Sequence, residues 1–83
     1  RLEGTVYLQV SVSTTGEVEV RVLESSGHLE LDLQAVWEAE HLAFPPAAYG
    51  NYTNVMWVDF RYVDGRSVTD YGFAEESQWI NAP

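Results

Sequence analysis

Polar and apolar residues alternate strictly over residues 5–12, with Val6, Leu8, Val10 and Val12 on one side and Thr5, Tyr7, Gln9 and Ser11 on the other. Period-two alternation marks a strand with one buried face. Ser13-Thr14-Thr15-Gly16 supplies turn chemistry, with Gly16 free to take positive φ. Val18, Val20 and Val22 then alternate with Glu17, Glu19, Arg21 and Leu23, so the two runs are expected to pair as an antiparallel hairpin. Ser25, Ser26 and Gly27 break the second strand and offer candidate helix caps. From about residue 29 to 42 the spacing becomes helical: Leu31, Ala35, Ala39 and Leu42 share a face, with Val36 on its flank. Pro45 and Pro46 forbid continuation, and residues 48–54 read as a loop. Alternation returns over residues 55–62, with Met56, Val58, Phe60 and Tyr62 on one face and Val55, Trp57, Asp59 and Arg61 on the other. Asp64-Gly65 marks a tight turn, and residues 67–71 can fold back as a short fourth strand.

This order predicts an α+β fold: a small antiparallel sheet built β-β-α-β, a short C-terminal strand added to it, and one helix packed on one face. Residues 1–66 form the expected domain. Residues 67–83 form an extension, made of the short edge strand and a polar tail anchored by Phe73, Trp79 and Ile80.

Composition narrows the function. Eighty-three residues make one small domain, and 46% of them are apolar, enough for a core without staples. The chain has no cysteine, which removes disulfides and thiolate metal sites. Thirteen acids against four arginines give a net charge of -9, which repels phosphate backbones and anionic lipid surfaces and argues against a nucleic-acid partner. No apolar run is long enough to cross a bilayer. The chain opens at Arg1-Leu2-Glu3 and reads as an excised domain, so targeting signals of the full-length protein are not expected in it.

Candidate chemistry is sparse. Ser25, Ser26, His28 and Asp32 contain the letters of a nucleophile triad, but no strand-turn-helix elbow surrounds them, and a loop with a helix cap accounts for them better. His28 and His41 lack ligand spacing, so neither a metal nor a cofactor is expected. The carboxylates sit on surface positions of helix and strand, where solvation explains them. The chain is not expected to be an enzyme.

The punctuation is more informative. Gly4 precedes the first strand and Gly16 sits in the hairpin. Glu24-Ser25-Ser26-Gly27, Leu31-Asp32, Phe44-Pro45-Pro46-Ala47 and the Val58-Asp59-Phe60 strand follow in order. Over about residues 2–63 this series resembles the C-terminal domain of TonB-family energy transducers. The resemblance implies a periplasmic domain at the C-terminus of an inner-membrane-anchored protein. It implies coupling to a proton-driven inner-membrane motor through an N-terminal part beyond this chain. The implied partner is a TonB-dependent outer-membrane receptor, as in siderophore and iron uptake. Its extended TonB box adds to the third strand, which lies at a sheet edge in the family. On this chain the implied peptide-binding residues are Val55, Met56, Trp57, Val58, Asp59, Phe60 and Arg61. An edge strand offers a row of unpaired N–H and C=O groups, so a peptide can be gripped through its main chain with little demand on sequence.

The chain departs from the family where basic residues and a Trp usually precede the Phe-Pro element: here the stretch reads Glu38-Ala39-Glu40-His41-Leu42. Leu33 and Trp37, four apart, share one shoulder of the helix, where relatives usually carry polar residues. Three readings stand for this pair: a widened core face, cover by the C-terminal tail, or a secondary interface with another subunit, including a homodimer. The second function class is accordingly a TonB-like structural interaction or dimerisation domain in an envelope or secretion assembly.

Overall fold

The computed structural model describes residues 2–44 and 50–74. Its elements are β1 (Gly4–Val12), β2 (Val18–Glu24), α1 (Leu29–Glu40), β3 (Tyr52–Val63) and β4 (Arg66–Ala74). The four strands form one antiparallel sheet in the order β2-β1-β3-β4. This is the expected α+β architecture, one helix against a small sheet. Two strand boundaries move by three residues. β3 begins at Tyr52 rather than Val55, because β1 holds its register out to Val12↔Tyr52; pairing overrides the weak strand propensity of Asn54. β4 runs to Ala74 rather than residue 71, paired with β3 from Val63↔Arg66 to Val55↔Ala74.

The core forms where the alternation placed it. Val6, Leu8, Val10 and Val12 are fully buried, as are Met56 and Val58, and Phe60 is nearly so. Ala35 and Ala39 bring the helix onto them, and their short side chains permit a close approach of helix to sheet. Val18, Val20, Leu31, Val36, Leu42, Phe44 and Tyr52 pack around this centre. Among the described residues the helix lies over β1 and β2, and Leu42, Ala43 and Phe44 after it border the matching face of β3 and β4.

The helix ends two residues before the expected Leu42. At its exit the His41 N–H reaches the carbonyls of Trp37 and Glu38, and Leu42 N–H reaches Ala39, so the last turn tightens. His41 also directs ring Nδ1 to the Trp37 carbonyl at 2.8 Å, satisfying one terminal acceptor. At the other end the N-cap is His28, without a side-chain cap. This corrects the expectation that Ser25 or Ser26 caps the helix directly. Ser26 Oγ instead accepts the His28 N–H at 3.1 Å, and Ser25 Oγ accepts the Gly27 N–H at 2.9 Å. Both serines then donate to Asp32, in the first turn region of the helix, whose carboxylate also takes the Ser26 N–H at 2.9 Å.

The scattered motif residues thus form one corner. A Cβ on Gly4 would lie 3.0 Å from Ser26 Cβ, so Gly4 lets β1 pass directly beneath the corner. Gly27 turns the chain at φ +92°. A bulge between the Tyr7↔Glu24 and Leu8↔Val22 pairs leaves Leu23 without an opposite residue and bends β2 toward the corner.

The Asp32 carboxyl sits below its ordinary value. Burial alone raises it, but hydrogen bonds from Ser25 and Ser26 and the charge of His28 together overrule that effect. A depressed carboxylate contributes stability that is complete well above the ordinary Asp pKa of about 3.9 and is lost as pH falls through the lower folded value. Asp32→Asn is therefore expected to destabilise the fold at neutral pH by no more than about 1 kcal/mol, since solvent screens the exposed carboxylate. Thermal melts of both proteins across a pH series check this: the gap should close toward strongly acidic pH.

Candidate functional site

The strand expected to receive a partner peptide is β3. Its backbone is paired on both sides, with β1 on one and β4 on the other. Val55, Met56, Trp57, Val58, Asp59, Phe60 and Arg61, expected to receive the peptide as an edge strand, thus lie on an interior strand, and the expected fourth strand occupies the side where the peptide was to add. The edges of the sheet are β2 and β4. The physical reason is the Asp64-Gly65 reversal: Asp64 at φ 53° and Gly65 at φ 77° close a tight hairpin, and the strand that follows zips along the side of β3 that β1 leaves free. The seven residues divide by parity. Met56, Val58 and Phe60 are buried beneath the helix side, Val55 is buried as well, and Trp57, Asp59 and Arg61 lie on the helix-free face.

β4 is held lightly. None of its residues is buried. On the helix-free face the Trp57 indole lies across Gly72: a Cβ there would fall 2.5 Å from Trp57 Cζ2. An aromatic ring covering a glycine on the neighbouring strand restores contact that the glycine cannot make itself. Arg61 bridges Asp59 on its own strand, at 3.4 Å, and Asp70 on β4, and all of these side chains remain in contact with solvent. Such a surface bridge contributes little. Asp59 is further positioned by Thr5, whose hydroxyl donates to it at 2.8 Å.

On the helix side β4 presents Tyr71 and Phe73, each 52% exposed. Their rings meet edge-on at 6.4 Å, and Phe73 meets Phe44 edge-on at 6.1 Å. Leu42, Ala43, Phe44, Tyr52, Asn54, Tyr71 and Phe73 enclose an apolar groove of about 470 Å³. Among the described residues the helix stops over β1 and β2, and Leu42, Ala43 and Phe44 of the exit segment border this half of the sheet.

Gly72, Tyr71 and Phe73 were not among the expected site residues. Their signal is in the sequence: Thr69, Tyr71 and Phe73 continue the period-two alternation that began at Ser67, past the glycine that reads as a strand end. The expected anchors Trp79 and Ile80 lie outside the described residues.

Leu33 and Trp37 stand apart from this site, on the outward side of the helix, 60% and 52% exposed. A widened core face is thereby set aside: the helix meets the sheet through Ala35 and Ala39. Trp37 stacks on His41 with ring centroids 4.0 Å apart.

Ser25 and Ser26 donate straight to Asp32, with no histidine ring between them. Among the described residues no group of His, Asp or Glu is arranged to hold a metal ion, and no helix is long and apolar enough to cross a membrane.

No curated protein and no solved structure matches the chain. The family of Gram-negative bacterial TonB protein C-terminal domains matches residues 1–63. That match ends on the last residue of β3. It covers β1, β2, α1 and β3, the corner built from Gly4, Ser25, Ser26 and Asp32, and leaves β4 outside. With about three quarters of its length matched, the chain belongs to the TonB C-terminal family, a family of protein-interaction domains rather than enzymes.

Proposed function

We propose that this domain works in the periplasm as a peptide-binding, force-transmitting module, capturing the TonB box of outer-membrane receptors by strand addition to β3. Its N-terminal continuation would couple it to the proton-driven motor of the inner membrane. The observation that carries the reading is the unequal hold on the two sides of β3. β1 is locked by a fully buried face, whereas β4 lies outside the family match and buries no residue. A peptide entering the sheet trades places with β4, and each main-chain bond lost to β4 is regained with the peptide. Load along the strand is then shared among several bonds.

On this reading the incoming peptide takes over the register that β4 holds on β3. Phe73 faces Met56, Gly72 faces Trp57, and Tyr71 faces Val58. The replacing segment therefore needs apolar side chains at two alternate positions, to refill the groove against Phe44 and Tyr52, and a small residue between them to pass under the Trp57 indole.

Titration with receptor box peptides, followed by amide NMR and hydrogen exchange, tests the exchange. The β4 amides should lose protection while those of β3 stay protected. Shifts confined to the helix would overturn the proposal, and β4 amides that stay protected while a peptide adds outside them would move the site to the outer edge of β4. The other reading, a structural dimerisation domain, predicts that two copies pair through the same edge without peptide.

A further inference from the structure

A second surface lies on the helix, apart from β3 and β4. Leu29, Leu33 and Trp37 recur every four residues and form one outward stripe, 68%, 60% and 52% exposed. A soluble helix normally turns charged residues to water along this line. Three exposed large apolar residues in register mark an interaction face rather than scattered surface.

The charges beside the stripe point to its occupant. Glu30 lines a shallow cleft with Leu33, Gln34 and Trp37. Glu40, three residues after Trp37, flanks the far end of the stripe. Glu38 and Glu40 occupy the last helical turn, which holds no basic residue. Acids there oppose the negative end of the helix dipole. Among the described residues both ion pairs use Arg61 on the sheet, so neither Glu30 nor Glu40 is neutralised. Glu38 is offset inside the domain by the Gln34 amide, which donates to it at 3.0 Å; for Glu40 the rule is broken without such a gain, as happens at sites built for something outside the domain.

Two occupants from this chain itself are disfavoured by charge. A second copy would bring another net charge of -9 onto an acidic rim. The residues after β4 begin with Glu75-Glu76, also acidic. Anionic lipid is repelled for the same reason.

We infer that the stripe Leu29–Leu33–Trp37, with its Glu30 and Glu40 rim, docks a basic amphipathic helix of another protein. Apolar residues of that helix pack along the stripe and its Lys or Arg side chains meet the rim. The stripe lies on the outward side of the helix and the helix covers β1 and β2, so this partner and a peptide at β3 do not compete. The domain is then a two-sided adaptor.

The probe is a synthetic Leu/Lys amphipathic peptide of about 18 residues, long enough to hold a helix on docking. Controls are a Leu/Glu peptide of the same pattern and a Lys/Ser peptide without an apolar face. Calorimetry and amide NMR should show binding of the Leu/Lys peptide alone, with shifts along residues 29–41. Trp37→Ala should weaken it by roughly thirtyfold, as truncation of a buried aromatic anchor does. The double variant Glu30→Gln/Glu40→Gln should weaken it a few-fold and flatten its salt dependence. Both changes are at exposed positions, and unchanged circular dichroism and melting confirm the fold. Equal binding of the Lys/Ser peptide, undiminished binding by Trp37→Ala, or shifts confined to the sheet would overturn the inference. So would a concentration-dependent dimer that Trp37→Ala dissolves, since a second copy would then occupy the stripe.

Discussion

Cutting the chain after Gly65 should leave a folded domain with a bare β3 that binds box peptide about tenfold more tightly. β4 is an unburied strand held by its ladder, by the Trp57–Gly72 contact and by a surface ion pair. Its docking beyond the backbone ladder is worth on the order of 1–2 kcal/mol. In the intact chain a peptide binds only the fraction of molecules with β4 released, and its apparent affinity falls by that fraction. Removing β4 removes this penalty, and about 1.4 kcal/mol corresponds to tenfold. Without peptide the exposed edge should pair with a second copy. Calorimetry and light scattering on the truncated domain measure both effects. A truncated domain that stays monomeric and binds no better would show that β4 does not guard β3. Gly72→Ala gives the same direction with a smaller effect: the new methyl group must push the indole off β4, loosening the strand while leaving the rest of the sheet untouched.

The largest loss of stability is expected at Leu8. Its side chain is fully buried at the middle of β1, between Val22 on β2 and Met56 on β3. Both neighbouring strands and the helix fix that space, so the cavity left by Leu8→Ala cannot collapse, and the cost should be about 3–4 kcal/mol. A domain of this size holds roughly 4–12 kcal/mol in total, and its midpoint should fall by about 15 °C or more. Leu33→Ala, the same chemical change at an exposed helix position, should cost under about 0.5 kcal/mol. Thermal and denaturant unfolding of the two variants compare them directly. Similar losses at both sites would mean that the helix turns a different face to the sheet.

Much of this protein was readable from local pattern. Period-two runs placed Val6, Leu8, Val10, Val12, Met56, Val58 and Phe60 on the buried face, because a strand that covers one side of a core must repeat every second residue. The spacing of Ala35 and Ala39 chose the helix face, and Gly16 and Asp64-Gly65 fixed both hairpins, because positive φ is a property of single residues. The family motif was legible as a list of residues, though its meaning was not. Gly4, Ser26 and Asp32 are far apart in sequence and meet only when β1 passes beneath the start of the helix.

The fate of β3 could not be read the same way. Alternation along a strand reports its two faces, at right angles to the ladder, and says nothing of whether its two edges are paired. That depends on which other strand arrives: Asp64-Gly65 announced a returning strand on the free side of β3, but not that it would pair with β3 as far as Val55↔Ala74. Its extent was obscured by Gly72, which has poor strand propensity by itself and is rescued by an indole from the neighbouring strand. Likewise, Leu33 and Trp37 look the same in sequence whether they widen the core or face water. Only the position of the helix over β1 and β2 decides, because burial is a relation between elements and not a property of either one.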